Sequence, residues 1–319
     1  MSWMDVNGWA PIGGAKLGTS RYAPDKMDIG RIAMQLQKFN IQTLIMMGGW
    51  DGYVCMMHLK RKAHKYPYLA SINIMLVPCT ISNNLPCTEY SIGADTALNS
   101  IVSAVDKIKE SAIAHRRIFV IEVMGAYCGF LCSMAAFATG AEKAFVPEDP
   151  PTLASLQKDL RDTQESFENN KSMAIFFTTE KTSKVFGTKF LSKLFKIDSG
   201  NQYDVRVSIL GHLQQGGSPT PMDRFLGTEL VGDMLDRIEE LIKTPSEGPG
   251  FFEVVGLSNG EVTYSAPEQI SETMDMNFRR PKNSWWTRAF REISDQYAEW
   301  HEKPEVYSEG SHAYVRPSE

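Results

Sequence analysis

Small polar side chains that could bind an oxyanion follow an apolar run at residues 72–78. Thr80, Ser82, Asn83 and Asn84 supply hydroxyl and amide groups there but no carboxylate, so the cluster has no evident general base. Hydroxyls and backbone N–H groups at strand ends are typical of loops that hold phosphate. Taken alone, the segment is better explained as an asparagine-rich turn, and the binding interpretation needs support from elsewhere in the chain.

Positive charge for an anionic ligand could come from four arginines and a histidine: Arg21, Arg117, Arg206, Arg279 and His212. Arginine matches the oxygens of a phosphate with two parallel N–H donors. Each arginine by itself is more simply a solvated surface group, and His212 could be a hydrogen-bonded core residue. Only a pattern that joins these residues would make them a site.

Two further segments have both a chemical and a structural interpretation. Met124-Gly125-Ala126 lies where a predicted strand meets a predicted helix, so its amides could face a phosphate at the helix N-terminus or form a tight turn. Cys128 and Cys132 are one helical turn apart, but no nearby histidine or cysteine completes a metal set. We therefore expect these thiols in the core and no metal in this chain.

Composition and charge argue against several classes of protein. The chain has 319 residues, 43% of them hydrophobic, a net charge of −5 and no evident basic stripe, which argues against a nucleic-acid partner. Five scattered cysteines indicate free thiols in a reducing cytosol. The apolar stretch 118–138 is interrupted by Glu122 and two glycines, and no signal peptide is evident. We therefore expect a cytoplasmic protein without a membrane partner.

Strand and helix patterns alternate along the chain, which predicts an α/β fold with a doubly wound, mainly parallel sheet. The predicted strands are 41–47, 72–77, 118–124, 173–178 and 205–210, and the predicted helices are 27–39, 52–65, 94–112, 127–139, 153–167, 183–195 and 221–242. Ligands bind outside the carboxyl ends of parallel strands. The polar loops that follow the strands are therefore expected to converge on one rim: 48–52, 80–90, 124–129, 178–180 and 211–218.

Five blocks of sequence resemble, in order, the 6-phosphofructokinase family in its eukaryotic, animal-type form. The blocks are G-G-A-K-L-G-T-S-R at 13–21, T-I-S-N-N-L-P-C-T-E-Y-S-I-G-A-D-T-A-L-N at 80–99, R-R-I-F-V-I-E-V-M-G-A-Y-C-G at 116–129, S-I-L-G-H-L-Q-Q-G-G-S-P-T-P-M-D-R at 208–224 and P-K-N-S-W-W at 281–286. The chain is most similar to the C-terminal, regulatory half of such enzymes. The resemblance implies a two-lobed, N-terminally truncated phosphofructokinase fold over residues 1–300 that lacks its first strand–helix unit, followed by a polar tail at 301–319.

In this family the regulatory half binds the activator fructose 2,6-bisphosphate in a former active site, and the resemblance implies the same ligand here. The positions that match the effector site are Arg21, Thr80, Ile81, Ser82, Asn83, Asn84, Arg117, Met124, Gly125, Ala126, Glu180, Arg206, His212, Leu213, Gln214, Gln215 and Arg279. Glu180 is expected to accept sugar hydroxyls. The family's counterparts of Arg117 and Arg206 reach into a neighbouring chain's site, which implies a homo-oligomer with shared sites or assembly with a catalytic N-terminal half.

The same resemblance implies that this chain has lost catalysis. The family's catalytic T-I-D-N-D appears as T-I-S-N-N, so Ser82 and Asn84 replace both acids, and neither can act as a general base or hold Mg²⁺. The catalytic G-G-D-G-S appears as G-G-W-D-G, with Trp50 in the acidic position. ATP and Mg²⁺ are implied only for the family's catalytic half. Ala126 stands where activator-binding halves typically have glycine, and its methyl group could crowd the ligand.

The residues leave three functional hypotheses open. The first is the effector-binding, regulatory half of a 6-phosphofructokinase, an enzyme of glycolysis. The second is an active sugar-phosphate phosphotransferase in which Thr80 and Glu180 position or deprotonate the substrate. The third is a truncated structural fragment without a ligand, whose exposed strand edge would favour aggregation. The loss of both acids favours the first hypothesis.

Overall fold

The computed structural model describes residues 2–20, 26, 28–200, 202–243 and 249–287, so Arg21 and the polar tail at 301–319 lie outside the described part. The strands are β1 Thr43–Gly48, β2 Asn73–Pro78, β3 Arg117–Val123, β4 Lys143–Phe145, β5 Met173–Thr179, β6 Asp204–Ile209, β7 Phe252–Ser258, β8 Glu261–Ser265, β9 Met274–Asp275 and β10 Arg280–Pro281. The helices are α1 Trp3–Val6, α2 Ile29–Lys38, α3 Trp50–Ala63, α4 Pro67–Ser71, α5 Ala94–Ala114, α6 Phe130–Thr139, α7 Leu153–Glu168, α8 Thr188–Asp198, α9 Pro221–Lys243 and α10 Pro267–Thr273. A 3₁₀ helix covers Gly211–Gln215.

The strands form two four-stranded sheets and the two-stranded pair β9-β10, where the strand and helix pattern predicted one doubly wound sheet and the family resemblance implied two lobes. The first sheet has the order β1-β2-β7-β8, with only β8 antiparallel, and the second has the order β4-β5-β3-β6 and is wholly parallel. The mainly parallel α/β class is therefore confirmed. The β7–β8 hairpin was not predicted, although Asn259-Gly260, both at positive φ, is a strong hairpin signal.

Both faces of each sheet are covered, which is why the central strands are mainly apolar. Along β2, Ile74 and Leu76 pack with α3 on one face, while Met75 and Val77 pack with α9 on the other. In the second sheet, α5 and α6 lie on one face and α7 and α8 on the other. Alternate residues of a strand point to opposite faces, so each strand contributes to two cores.

Asp223 joins the helices that cross between the two sheets. Helix α5 follows Gly93, which adopts a φ of +98° and has no side chain with which to cap the helix. Asp223 of α9 supplies the acceptor, since its two oxygens bond the N–H groups of Gly93 and Thr96, each at 2.7 Å. In return, Thr220, just before α9, donates its hydroxyl to Asp95 of α5 at 2.5 Å. The starts of α5 and α9 are therefore bonded to each other.

Replacement of Asp223 by alanine is expected to lower the free energy of unfolding by about 2–4 kcal/mol, because buried N–H groups at the start of α5 lose their acceptor. Urea denaturation measures the change. The control is Asp236→Ala, an exposed position on the same helix, where a change below about 0.5 kcal/mol is expected. Equal losses in the two variants would contradict the role given to Asp223.

Candidate functional site

The loop after β2 is held by internal hydrogen bonds. Asn83, at a φ of +47° and only 1% exposed, donates to the Glu89 carbonyl oxygen at 2.8 Å and accepts from the Ser91 N–H at 2.7 Å. Ser91 donates its hydroxyl to the Thr80 carbonyl oxygen at 2.6 Å. Thr80 lies against Gly49, where an added Cβ would be 2.7 Å from the threonine Cβ. The amide group of Asn83 thus stabilises the loop and does not face a ligand.

Asn84 links this loop to the segment that carries Arg279. Its Nδ2 donates to the Arg279 carbonyl oxygen at 2.9 Å, whereas its buried Oδ1 has no hydrogen-bond partner among the described residues. Arg279 has a φ of +55°, and its guanidinium lies 6.0 Å from the centroid of the Trp50 ring. A cation over an aromatic face at this distance is weakly attracted. Trp50 therefore lies beside an arginine of the candidate site.

The loop after β3 forms a tight turn, which is one of the two interpretations that the sequence left open, and its amides do not lie at a helix N-terminus. Helix α6 begins at Phe130 with Gly129 as its N-cap, so residues 124–126 form a separate turn before it. Glu148 occupies the helix start, because its carboxylate oxygens accept the Gly129 N–H at 2.8 and 3.0 Å. Burial raises the pKa of the Glu148 carboxyl despite these bonds and the Arg280 guanidinium 3.9 Å away.

Two side chains bond the amides of the separate turn. The Met124 N–H donates to Gln214 Oε1 at 3.1 Å, and the Ala126 N–H donates to Glu180 Oε1 at 3.2 Å. Gln214 is buried and also donates to the carbonyl oxygen of Gly211, so its role is internal. Glu180 is exposed, which makes it the partner that a ligand could displace.

Residues 278–280 connect the loops of the two sheets. Arg280 donates to the Tyr127 carbonyl oxygen at 3.0 Å, and the ring of Tyr127 packs 5.5 Å from that of Phe278. Together with the Asn84 contact to Arg279, these bonds bring the loops after β2, β3, β5 and β6 together, as the strand-end argument predicted. Arg280 was not among the predicted site residues, although it adjoins Arg279 in the basic F-R-R-P-K segment.

Arg117 and Arg206 lie toward the amino-terminal ends of β3 and β6, away from the loops that follow these strands. Arg117 is the first residue of β3, and Arg206 is in register with Phe119, so at least five strand residues, roughly 16 Å, separate each from Met124. Both guanidinium groups contact Asp204, with Arg117 Nε at 3.4 Å and Arg206 Nη2 at 2.7 Å. One chain therefore does not bring these arginines to its own loop cluster.

The remaining matched residues divide between the core and the surface. Ile81 packs against the core, and the N–H of Ser82 donates to the Thr80 hydroxyl at 3.3 Å. His212, in the 3₁₀ helix, is exposed, so its interpretation as a core histidine was wrong. Leu213 and Gln215 are exposed beside it.

The two neighbouring thiols are part of the core. Cys128 and Cys132 are fully buried in one apolar cluster, and burial raises the pKa of both thiols. Within the described ranges, no group of three or more His, Cys, Asp or Glu side chains is placed to hold a metal ion. In the same part of the chain, no helix is long and apolar enough to span a membrane.

Two mainly parallel sheets, with loops between them that carry arginine, hydroxyl and amide groups, define an α/β protein with a candidate anion site. The chain belongs to the phosphofructokinase family, because the family model described as Phosphofructokinase matches residues 1–238. It is 40% identical over 289 residues to the ATP-dependent 6-phosphofructokinase of Dictyostelium discoideum, covering 90% of this chain and 34% of that protein. It is 33% identical over 324 residues to the platelet-type enzyme of Pongo abelii, covering 99% of this chain and 41% of that protein.

Solved structures give the same result. The chain superimposes on phosphofructokinase from Saccharomyces cerevisiae with a TM-score of 0.86 and 32% identity, covering 92% of this chain and 40% of that one. For the Pichia pastoris phosphofructokinase in the T-state, the TM-score is 0.80 with 33% identity, covering 94% of this chain and 35% of that one. The chain thus spans well under half the length of these relatives.

Replacement of Ala126 by glycine is expected to raise the free energy of unfolding by about 0.5–1 kcal/mol, because Ala126 adopts a φ of +50° that strains any residue with a Cβ. Urea denaturation measures the gain. Ala154→Gly, at an exposed position in α7, is the matched control and should lose about 0.5–1 kcal/mol. A loss in both variants would mean that the turn at Ala126 is not strained.

Proposed function

We propose that this chain is the regulatory half of an ATP-dependent 6-phosphofructokinase, a cytoplasmic enzyme of glycolysis that converts fructose 6-phosphate to fructose 1,6-bisphosphate. In this proposal it binds the activator fructose 2,6-bisphosphate, or a similar sugar phosphate, in a degenerate active site. One observation carries the proposal: hydrogen bonds, some of them through residues 279 and 280, join the loops after β2, β3, β5 and β6, and Glu180 is the only acid among the matched residues.

The side chains of the loop cluster suit binding better than catalysis. Ser82 and Asn84 carry no charge, so they cannot take the proton of a sugar hydroxyl as a general base would. The missing carboxylates also remove repulsion against a phosphate, which carries a charge of about −2 near neutral pH. The unpartnered Oδ1 of Asn84 is an acceptor that a sugar hydroxyl would satisfy.

A complete site in this proposal needs a second chain. Arg117 and Arg206 are held by Asp204 at the β6 edge of the second sheet, away from their own chain's loops. Large apolar side chains are exposed nearby, with Ile209 59% and Leu213 64% exposed, as expected of a surface that another copy covers. The neighbour's arginines would then close the site. The effector would act through its higher affinity for one state of the assembly with the catalytic half.

Calorimetric titration with fructose 2,6-bisphosphate tests the site itself. The Arg279→Ala variant is expected to bind about 10–100-fold more weakly, because a charge-assisted hydrogen bond to phosphate is lost. Arg161→Ala, at an exposed position on α7, is the matched control and should bind normally. Equal binding by all three proteins would contradict the assignment.

A mixing experiment tests whether the site is shared. Arg279→Ala and Arg206→Ala damage different halves of a shared site, so each variant alone should bind weakly. Random pairing of the two in a symmetric dimer should restore about a quarter of the sites, because half of the dimers then contain one intact site. No recovery on mixing would mean that the site is not shared between chains, and normal binding by Arg206→Ala alone would place Arg206 outside the site.

The alternative hypotheses predict different results. An active phosphotransferase would turn over in a coupled kinase assay and lose that turnover in Glu180→Gln. The bond from the Ala126 N–H to Glu180 does not favour a base role for this carboxylate. A structural fragment would fold without binding any sugar phosphate.

A further inference from the structure

We propose that the outer face of α8, with the segment that precedes it, is a docking surface for an anionic phospholipid membrane. This lysine face carries five residues: Lys181, Lys184, Lys189, Lys193 and Lys196. Residues 181–197 contain no aspartate or glutamate, so the five lysines give this stretch a formal charge of +5, whereas the whole chain has a net charge of −5. The proposal goes beyond effector binding and revises the expectation of no basic stripe and no membrane partner.

The three lysines of α8 lie on one side of the helix, and Lys181 and Lys184 are exposed in the segment that precedes it. At 3.6 residues per turn, five exposed residues of α8 fall within one arc of about 120°. They are Lys196, Lys189, Lys193, Ile197 and Phe190. On the opposite side of the helix, Leu191 and Phe195 are completely buried against the second sheet. The packing of α8 therefore fixes the direction in which the lysines point.

The charges of this face are not neutralised within the described part of the chain. All five lysines are exposed, and the ion pairs that other lysines make do not include them. Uncompensated charges of one sign at close spacing repel one another. A partner of opposite charge would relieve this repulsion, and the face therefore favours an anionic partner.

Apolar side chains among the lysines favour a membrane over an acidic protein. Val185 is 65% exposed, Phe190 38% and Ile197 73%. An amphipathic helix of this composition lies in the membrane interface with its apolar groups inserted and its lysines at the headgroups. An acidic polypeptide would pair with the charges and leave these three side chains in water. The absence of arginine also suits a diffuse charged surface, because lysine is a point charge without bidentate geometry.

Vesicle co-sedimentation of the full chain tests the proposal directly. The probes are vesicles of phosphatidylcholine alone and vesicles with about a third phosphatidylserine, each at low and high salt. Binding is expected only to the anionic vesicles and should fall as salt rises. One lysine near an anionic surface changes partitioning about fivefold, so Lys189→Gln with Lys193→Gln and Lys196→Gln should weaken binding about 100-fold.

A matched variant tells whether vesicle binding depends on the charge of the lysine face or on the total charge of the chain. Lys65→Gln with Lys107→Gln and Lys158→Gln removes the same charge from exposed lysines elsewhere and should bind as the unchanged chain does. Phe190→Ser with Ile197→Ser should also weaken binding, whereas an acidic protein partner would be indifferent to it. Circular dichroism confirms that each variant is folded.

Three outcomes would overturn the proposal. These are failure of the folded chain to bind anionic vesicles, equal weakening by both lysine variants, and binding to polyglutamate but not to vesicles. None of the substituted residues contacts the loop cluster, so fructose 2,6-bisphosphate binding is measured separately and its failure leaves the membrane result intact.

Discussion

The carboxylate of Asp223 accepts the N–H groups of Gly93 and Thr96, and it thereby fixes where α5 begins. The chain passes between the two sheets twice, once through α5 and once through α9. Asp223 belongs to α9 and bonds the start of α5, so it joins the two connections. Two loops of the candidate site, those after β2 and β6, precede these helices, so the positions of these two loops follow from the same bonds. The structure therefore gives Asp223, in the 208–224 block, a structural role.

The helices and strands named in the sequence analysis could be predicted because the apolar residues of each segment recur at the spacing of one kind of element. All five predicted strands and all seven predicted helices exist, with ends displaced by a few residues. Sheet membership could not be predicted, because β2 and β3 are both parallel, apolar and followed by polar loops, yet belong to different sheets. The order of strands depends on long-range packing, which no local pattern encodes.

The convergence of the loops after the strands was predicted, but their internal bonding was not. Asn83 and Gln214 have the donor and acceptor groups of ligand contacts, yet both bond the protein's own backbone. A side-chain amide serves either purpose, and only the geometry distinguishes them. Arg117 and Arg206 matched the effector site by resemblance, but in one chain they bond Asp204. The lysines of α8 were missed because the net charge of the whole chain hides a positive segment that negative segments elsewhere offset.

The second sheet is formed by a segment inserted between the strands of the first sheet, so the first can be called the host domain and the second the guest domain. The strands of the host come from residues 43–78 and 252–265, and those of the guest from 117–209. The two junctions, at Gly93 and Thr220, are adjacent because Asp223 and Asp95 bond across them. Insertion of one domain into another requires neighbouring ends, and here the ends are bonded to each other. The guest could therefore change its length and surface without displacing the strands of its host.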